Sequence, residues 1–366
     1  MRKFLSTILA LALAASLTSA YAAETPSSTE DLVAAYATVF ISEVDDVERE
    51  VAGVRPMYDY TETTITGYYV TYEAGGEPAG YLVLDSFDAA NPIVEFALDG
   101  NGIVPATYAE TTAIVFEGGG RMYVKTRDGA YRNTLLDYET DVNGVQATAS
   151  SPTRAAVEVG DYLETNAPVV TSQKLVKDVG SMALYPTQAT YDSSGAYANN
   201  CGPTAAANIL LYWYNSRGMT AMNHVVSGAG PSLTDKGRAL HDRLFATMRT
   251  NATAPGTFVT DVVPGLESVL GLAGTTWAHT TVDIQRPDSA DWTAVQNILS
   301  KDVPVVLFMQ TESGSSAHFM FCHGYATTSA GTGYLCVMDG TRQQTRYIRF
   351  LNNAPKMWAC GVEIKR

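Results

Sequence analysis

Apolar residues recur with two different periods along the chain, and the change of period predicts the secondary structure. In the first half, helical spacing is seen at Leu32, Tyr36, Val39, Phe40 and Val44. Ser27 and Glu30 precede this face in a capping-box pattern, which predicts the helix start. From residue 63 the period becomes two, and short strands are predicted over residues 64–72, 80–87, 92–98 and 113–125. One helix and an antiparallel sheet predict a small α+β domain.

The second half has helical patterns first and strand patterns afterwards. Helices are predicted from about Cys201 to Arg217, over residues 233–248 and over residues 291–301. Strands are predicted over residues 303–310, 318–325, 333–339, 345–350 and 359–364. This order predicts a second α+β unit, in which a site can form across a cleft between the helices and the sheet.

A stretch poor in apolar residues separates the two halves. Residues 143–157 are rich in Ala, Ser, Thr, Gly and Pro and lack the periodicity of a helix or a strand, which predicts an exposed linker. Residues 161–180 fit either a connecting strand or more linker. We therefore divide the chain into a leader (1–22), an N-terminal domain (23–142), a linker (143–180) and a C-terminal domain (181–366).

The first 22 residues have the pattern of a secretory signal peptide. Arg2 and Lys3 precede an apolar run over residues 4–17, and Ala20 and Ala22 fit the small-residue cleavage pattern. The run is shorter than the ~20 residues needed to cross a bilayer, and no other segment approaches that length. We expect cleavage after Ala22 and a protein that is secreted or exported to the cell envelope, without a membrane anchor.

Composition and charge exclude several classes of protein. Hydrophobic residues make up 46% of the chain, which is enough to build a core and argues against disorder. The chain has 38 acidic residues against 24 Lys and Arg, a formal charge of −14. Because an acidic surface repels phosphate groups and anionic lipids, we expect no nucleic-acid partner and no binding to a membrane surface.

Cysteine provides the strongest chemical signal in the sequence. Cys201 stands at the start of a predicted helix, ahead of Gly202 and of Pro203, which is tolerated in a first turn because its missing N–H needs no partner there. Free amides and the positive end of the helix dipole favour the thiolate, which is the nucleophilic form. The Cys201 amide is placed to donate to a developing oxyanion, and Gly202 lets a substrate carbonyl approach the backbone.

A nucleophilic cysteine needs a base, and His318 is the candidate among the five histidines. It begins a strand pattern that runs to Tyr325, so it is expected at one end of the sheet. The strand pattern that follows ends at Asp339, whose carboxylate is expected to hold the imidazole in one orientation. These three side chains therefore predict a nucleophile, a base and an orienting acid.

Strand parity relates this arrangement to the other cysteines. If the two strands pair antiparallel, His318 and Asp339 share a face only in a register whose residue numbers sum to an odd value. That register puts Cys322 on the His318 face and Cys336 on the opposite face, so no disulfide is expected between them unless a bulge intervenes. These two and Cys360 are expected to be buried thiols, with a pair involving Cys360 left open.

The remaining histidines carry less information. His323 lies on the same strand as His318 but is expected to point to the other face, where its role is structural. His224, His241 and His279 have no companions at metal-ligand spacing. We therefore expect no metal site and no other cofactor.

Together these residues resemble the papain-like cysteine peptidases. In that superfamily a cysteine at a helix start is followed by a strand histidine and then by Asn or Asp; the matching motifs here are Cys201-Gly202-Pro203, His318 with Gly324-Tyr325, and Asp339-Gly340. Asp as third member is more similar to the bacteriocin-processing, double-glycine branch than to papain itself. The resemblance covers residues 185–350 and implies a papain-like α+β fold with a Cys-His-Asp triad.

The oxyanion donor departs from the family pattern. Papain-like enzymes carry a Gln shortly before the Cys, but Gly195 occupies the position six residues upstream. Gln188 is the nearest Gln and is assigned as the oxyanion donor, although the amides of Asn199 and Asn200 are closer in sequence.

The N-terminal domain is similar to the prodomain of the streptopain family in its runs over residues 56–60, 67–70 and 80–85. That resemblance implies an inhibitory propeptide, removed on activation by cleavage in the linker.

The sequence thus predicts a secreted cysteine endopeptidase made as a zymogen, which acts on peptide or protein substrates through a thioester acyl-enzyme. Its own N-terminal domain is the expected intramolecular inhibitor. Two alternatives stay open: a papain-like acyltransferase or cell-wall peptide hydrolase with the same triad, and a non-catalytic extracellular binding protein that retains the fold.

Overall fold

The structure is a computed structural model that describes residues 28–86, 88, 91–104, 112–117, 121–135, 139–148, 167–192, 197–285, 287–310, 317–350 and 356–365. The expected signal peptide lies outside the described residues, as do residues 149–166 of the expected linker. Among the described residues, no helix combines the length and the apolar character required to cross a membrane.

The N-terminal domain consists of one long helix and short antiparallel strands. The helix is α1 (Thr29–Ser42), and the strands are β1 (Glu50–Tyr58), β2 (Ile65–Ala74), β3 (Glu77–Asp85), β4 (Ile93–Ala97), β5 (Ile114–Phe116), β6 (Met122–Lys125), β7 (Tyr131–Asn133) and β8 (Glu139–Thr140). The helix and strands β2 to β6 follow the predicted positions, whereas the pattern missed β1, β7 and β8. The α+β class predicted for this domain is therefore correct.

The start of α1 differs from the prediction by one residue. Ser28 is the N-cap, and its hydroxyl accepts a hydrogen bond from the Asp31 amide while the Asp31 carboxylate accepts from the Ser28 amide. The capping box therefore involves Ser28 and Asp31 instead of Ser27 and Glu30. Val39, expected on the apolar face, is 46% exposed, because the buried face of α1 passes through the neighbouring residue Phe40.

The C-terminal half contains the elements expected of the second unit and some that the pattern missed. Its helices are α3 (Gln188–Tyr191), α4 (Cys201–Leu211), α5 (Leu233–Thr247), α6 (Val259–Leu272) and α7 (Ser289–Leu299), and its strands are β10 (Trp277–Ile284), β11 (Val305–Gln310), β12 (Ala317–Thr328), β13 (Gly333–Met338), β14 (Arg346–Arg349) and β15 (Lys356–Ile364). The predicted continuation of α4 to Arg217 is a π-helical segment, Tyr212–Ser216. Helix α6 was missed because Pro264 lies inside it, and proline predicts a helix break.

The expected linker is only partly irregular. Residues Val142–Thr148 form helix α2, and Val170–Leu175 form strand β9, which pairs antiparallel with β12. The irregular structure predicted for residues 143–157 is therefore replaced by a helix over residues 143–148. Residues 161–180, which fitted either a strand or a linker, contain a strand that extends the sheet of the C-terminal domain.

All strands of the described residues belong to one sheet, in the order β10-β15-β11-β12-β13-β14-β4-β3-β2-β1-β5-β6-β7-β8, with β9 beside β12. The two domains join where β14 pairs antiparallel with β4, through Tyr347 with Phe96 and Ile348 with Glu95. The sheet thus continues from one domain into the other, and β14 is not a free edge strand.

The register of β12 and β13 explains the placement of two cysteines. Phe321 pairs with Met338, an odd sum, and a bulge at residue 323 shifts the register so that Gly324 pairs with Cys336. Cys322 packs in the core of the C-terminal domain, whereas Cys336 packs on the other face of the sheet against the N-terminal domain. Both thiols are free, as strand parity predicted.

Candidate active site

Cys201 is the first residue of α4, and its side chain is partly exposed. The rest of the helix, residues 202–211, is buried in the core of the C-terminal domain, so the cysteine is held at a rigid helix start. The first N–H groups of a helix have no intrahelical acceptor, which leaves the Cys201 amide available to a ligand.

His318 is the second residue of β12 and is 3% exposed. Its Nε2 lies 2.6 Å from the main-chain oxygen of Asp339, the residue that follows β13. A carbonyl oxygen can only accept, so Nε2 carries the proton and donates it. The tautomer is therefore defined, and Nδ1 is the ring nitrogen that can exchange a proton with a thiol.

The side chains of Cys201 and His318, 117 residues apart in the numbering, are brought together at the end of the sheet, where they form a hydrogen bond. Burial alone would raise the pKa of the Cys201 thiol, but the hydrogen bond and charge of His318, and the amides of Phe319 and Gly202, lower it below its usual value. Burial alone would lower the pKa of His318, but its contacts with Cys201 and Asp339 raise it to about 9. The pair therefore favours thiolate and imidazolium.

The carboxylate of Asp339 is not where the sequence predicted it. Instead of binding His318, Oδ1 accepts hydrogen bonds from the amides of Thr341 and Arg342 and from the Thr341 hydroxyl, and Oδ2 lies 2.6 Å from Nη1 of Arg346. Burial would raise the pKa of Asp339, but the charge of Arg346 outweighs it and holds this pKa below its ordinary value. Asp339 thus orients the imidazole through its main chain, while its side chain holds the loop after β13 in place.

Gln188 lies at the start of α3 and is held from two sides. Its main-chain N–H donates to the main-chain oxygen of Gly340 at 2.8 Å, and its main-chain oxygen accepts from Nδ2 of Asn200 at 3.3 Å. The side-chain Nε2 is a buried donor with no hydrogen-bond partner among the described residues. A Cβ added to Gly340 would lie 3.4 Å from this nitrogen and 3.5 Å from Cγ2 of Thr204, which is one turn after Cys201. An unpartnered donor here fits the role of an oxyanion ligand.

The two amides nearest to Cys201 in sequence are already engaged. Nδ2 of Asn199 points to the side chain of Asn251 at 3.4 Å, and Nδ2 of Asn200 is bound to Gln188. Gly195 lies outside the described residues.

Thr257 is a neighbour of the site that the sequence pattern did not indicate. A Cβ added to Gly202 would lie 2.7 Å from Oγ1 and 2.8 Å from Cβ of Thr257, which in turn hydrogen-bonds Thr250. The space beside Gly202, expected to admit a substrate carbonyl, is thus occupied by this threonine. Arg346 was also missed, because a buried arginine in a strand cannot be distinguished from an outward-facing one by alternation alone.

The other histidines of the described residues do not contact this pair. His323 is buried at the β12 bulge, where Nε2 meets the Thr345 hydroxyl at 3.1 Å. Burial lowers the pKa of His323 to about 4, which keeps it neutral. Within the ranges that the structure describes, no three His, Cys, Asp or Glu side chains are grouped as metal ligands.

The fold and this Cys-His pair define a papain-like cysteine peptidase. Residues 181–359, just under half of the chain, match the model of the Peptidase_C39 like family, which supports a cysteine peptidase. A comparison with curated proteins found no match. Among solved structures, the chain is similar to the active wild-type interpain A cysteine protease of Prevotella intermedia, with 13% identity, a TM-score of 0.36, and coverage of 52% of this chain and 95% of that one.

Proposed function

We propose that this protein is a secreted cysteine endopeptidase made as a zymogen, with Cys201 as nucleophile, His318 as acid and base, and Asp339 as orienting residue. The observation that carries the proposal is the hydrogen-bonded pair of Cys201 and His318 at the start of a buried helix. A thiol with a lowered pKa beside an imidazole with a raised pKa is the arrangement that acyl transfer to sulfur requires.

Acylation begins with attack of the Cys201 thiolate on the carbonyl carbon of a peptide bond. The carbonyl oxygen becomes an oxyanion, which accepts hydrogen bonds from the free amide of Cys201 and from Nε2 of Gln188. His318 then donates its proton to the nitrogen of the leaving amine, the C–N bond breaks, and a thioester with Cys201 remains. The neutral imidazole left behind keeps its proton on Nε2, which still donates to the main-chain oxygen of Asp339.

Deacylation reverses the role of the histidine. Neutral His318 accepts a proton from a water molecule as the water oxygen attacks the thioester carbon. The C–S bond breaks, the carboxylic acid leaves, and the thiolate–imidazolium pair is restored. The main-chain contact with Asp339 keeps the ring in one orientation through both steps.

The contacts between the two domains support the zymogen part of the proposal. Leu135 of the N-terminal domain is almost fully buried in the core of the peptidase domain. The Tyr334 hydroxyl donates to the Ile93 oxygen at 2.9 Å, and the Arg342 guanidinium binds the oxygens of Gly102 and Ile103. An N-terminal domain docked beside the loop of Asp339 is suited to act as an intramolecular inhibitor. Export is supported by the N-terminal pattern over residues 1–22.

The test is hydrolysis of a fluorescent casein by the full-length chain, followed by sequencing of new N-termini. His318→Gln is expected to abolish hydrolysis and self-cleavage. His323→Gln is the matched control, since it removes a buried histidine from the same strand without touching Cys201, and it should retain both activities. Undiminished hydrolysis by His318→Gln or by Cys201→Ala would refute the assignment. New N-termini between residues 143 and 180, absent in Cys201→Ala, would support the zymogen, and an intact chain with full activity would contradict it.

A further inference from the structure

A fully buried arginine lies between the two domains and contacts acidic groups of both. Nη1 of Arg346 is 2.6 Å from Oδ2 of Asp339 and 2.9 Å from the main-chain oxygen of Thr134. Its Nε and Nη2 are each 2.7 Å from Oε1 of Glu95. Glu95 and Thr134 belong to the N-terminal domain, so one guanidinium bridges that domain to the residue that orients His318.

The charged groups around this arginine alternate in sign. Starting from the N-terminal domain they are Glu95, Arg346, Asp339, His318 and Cys201: carboxylate, guanidinium, carboxylate, imidazolium and thiolate. Each neighbouring pair in this series interacts directly. Asp339 and His318 interact through the main-chain oxygen of Asp339 and through its charge.

Within the described residues, Arg346 and His318 pair with no further charged side chain. The remaining titratable group near Arg346 is Tyr81, whose hydroxyl donates to Glu95. The series therefore begins at a single carboxylate of the N-terminal domain and ends at the nucleophile.

We propose that Arg346 is a positioning residue that sets the ionisation of the Cys201–His318 pair through Asp339, and that Glu95 of the N-terminal domain adjusts this effect. A buried guanidinium needs its carboxylate partners, because an unpaired buried charge is strongly unfavourable. Release of the N-terminal domain, as in the proposed function, withdraws Glu95 and Thr134 together and leaves Asp339 as the acidic partner of Arg346.

The sign of each effect follows from electrostatics. A more negative potential at the pair disfavours the Cys201 thiolate, so the thiolate forms at higher pH; a more positive potential has the opposite effect. Removing the charge of Arg346 makes the potential more negative, and removing the charge of Glu95 makes it more positive. The two substitutions should therefore shift thiolate formation in opposite directions.

The experiment measures the rate of Cys201 alkylation by iodoacetamide from pH 4 to 9 in the full-length chain, with its intact length verified by mass. Arg346→Gln is expected to raise the midpoint of the rate profile by about one pH unit, and Glu95→Gln to lower it by about half a unit, as for charges a few ångströms apart in a protein. The double variant should return towards the wild-type midpoint. The control is Asp88→Asn. Asp88 pairs with Arg349 at the same domain interface and is 30% exposed, so loss of its charge should leave the midpoint unchanged.

A purely structural role for Arg346 predicts a different result. Shifts of both single variants in the same direction, or a Glu95→Gln midpoint equal to those of the wild type and Asp88→Asn, would overturn the proposal. Should Arg346→Gln fail to fold, the midpoint of Glu95→Gln alone decides the proposal. The side-chain oxygen of the glutamine can still accept from Tyr81 and Arg346, so this substitution removes only the charge. Alkylation needs no substrate, so failure of this inference and failure of the peptidase assignment give separate readouts.

Discussion

The imidazole of His318 is held by the main chain of Asp339, with Nε2 and the carbonyl oxygen 2.6 Å apart. The side chain of the same aspartate is directed to Arg346 and to the loop that follows β13. One residue thus performs two tasks, because its oxygen sets the tautomer of the base while its carboxylate holds that oxygen in place. The consequences of mutating this residue differ from those of mutating a residue whose carboxylate binds the ring directly.

Asp339→Asn should keep the base in place but lower the stability of the fold, because Arg346 then retains only Glu95 as a carboxylate partner. The amide oxygen can still accept from Thr341 and Arg342, and the main-chain contact with His318 is unchanged. We expect kcat/KM for peptide hydrolysis to fall on the order of tenfold, against a loss of about 10² to 10⁴ for His318→Ala, the range for removal of a general acid and base. Steady-state kinetics on a peptide substrate measure both losses. Equal losses would show that the carboxylate itself acts on the ring.

The four cysteines should differ sharply in reactivity. Burial raises the pKa of Cys322 and of Cys360 to about 12 and raises that of Cys336 well above its usual value, while His318 lowers the pKa of Cys201. Because only the thiolate reacts, brief treatment of the native chain with iodoacetamide at pH 7 should add one adduct, located on Cys201 by peptide mass spectrometry. Cys201→Ala should add none. An adduct on Cys322 at the same rate would contradict this account.

Gln188→Ala tests the oxyanion donor. Its Nε2 is buried and without a partner in the described part of the chain, so its loss should act on the transition state more than on the folded structure. We expect kcat to fall about 10²- to 10³-fold with little change in KM, as is typical when one oxyanion donor is removed. Asn199→Ala is the control, because that amide is exposed and already bound to Asn251. A comparable fall in the control would assign the effect to loop geometry.

Acid should destabilise the fold through His323. Its pKa falls from 6.5 in the unfolded chain to about 4 in the native protein, because burial disfavours the charged ring. Between these values the unfolded chain binds more protons than the native protein, so the free energy of unfolding decreases as the pH falls from 6.5 to 4, by up to about 3 kcal/mol.

Urea unfolding at pH 7 and pH 4.5 checks this expectation. His323→Gln cannot titrate in this range, so the difference between its two midpoints should be smaller than in the wild type. His241, whose pKa is also lowered by burial, contributes in the same direction and is unchanged in both proteins. Equal pH dependence of the two proteins would rule out His323 as a source of acid sensitivity.

Periodicity predicted many of the helices and strands but failed where local signals conflict with packing. Helix α6 contains Pro264, and its buried residues Val262, Leu266 and Val269 stabilise a helix that the proline alone argues against. The segment 142–148 forms a helix although its composition is typical of a linker. Strand β9 is mostly polar and exposed, so its place in the sheet comes from pairing with β12 and not from its own pattern.

The reactive pair of the site was open to prediction from the sequence, because each member is placed by its own segment. Cys201 is followed by a helix pattern and His318 by a strand pattern. Each residue therefore stands at the start of a regular element, and that element fixes the direction of its side chain. The orienting contact was not open to prediction in the same way. A main-chain oxygen and a side-chain oxygen of one aspartate are indistinguishable in a sequence, and the choice between them depends on a partner for the carboxylate.

That partner is supplied by tertiary structure alone. Arg346 reaches Asp339 from seven residues away, and the same guanidinium binds Glu95, which is 251 residues distant along the chain. Local periodicity reflects interactions within one element, so it specifies a nucleophile at a helix start and a base at a strand end. The pairing of β14 with β4 brings the second carboxylate to the arginine, because a buried positive charge is stable only where the folded chain surrounds it with acceptors.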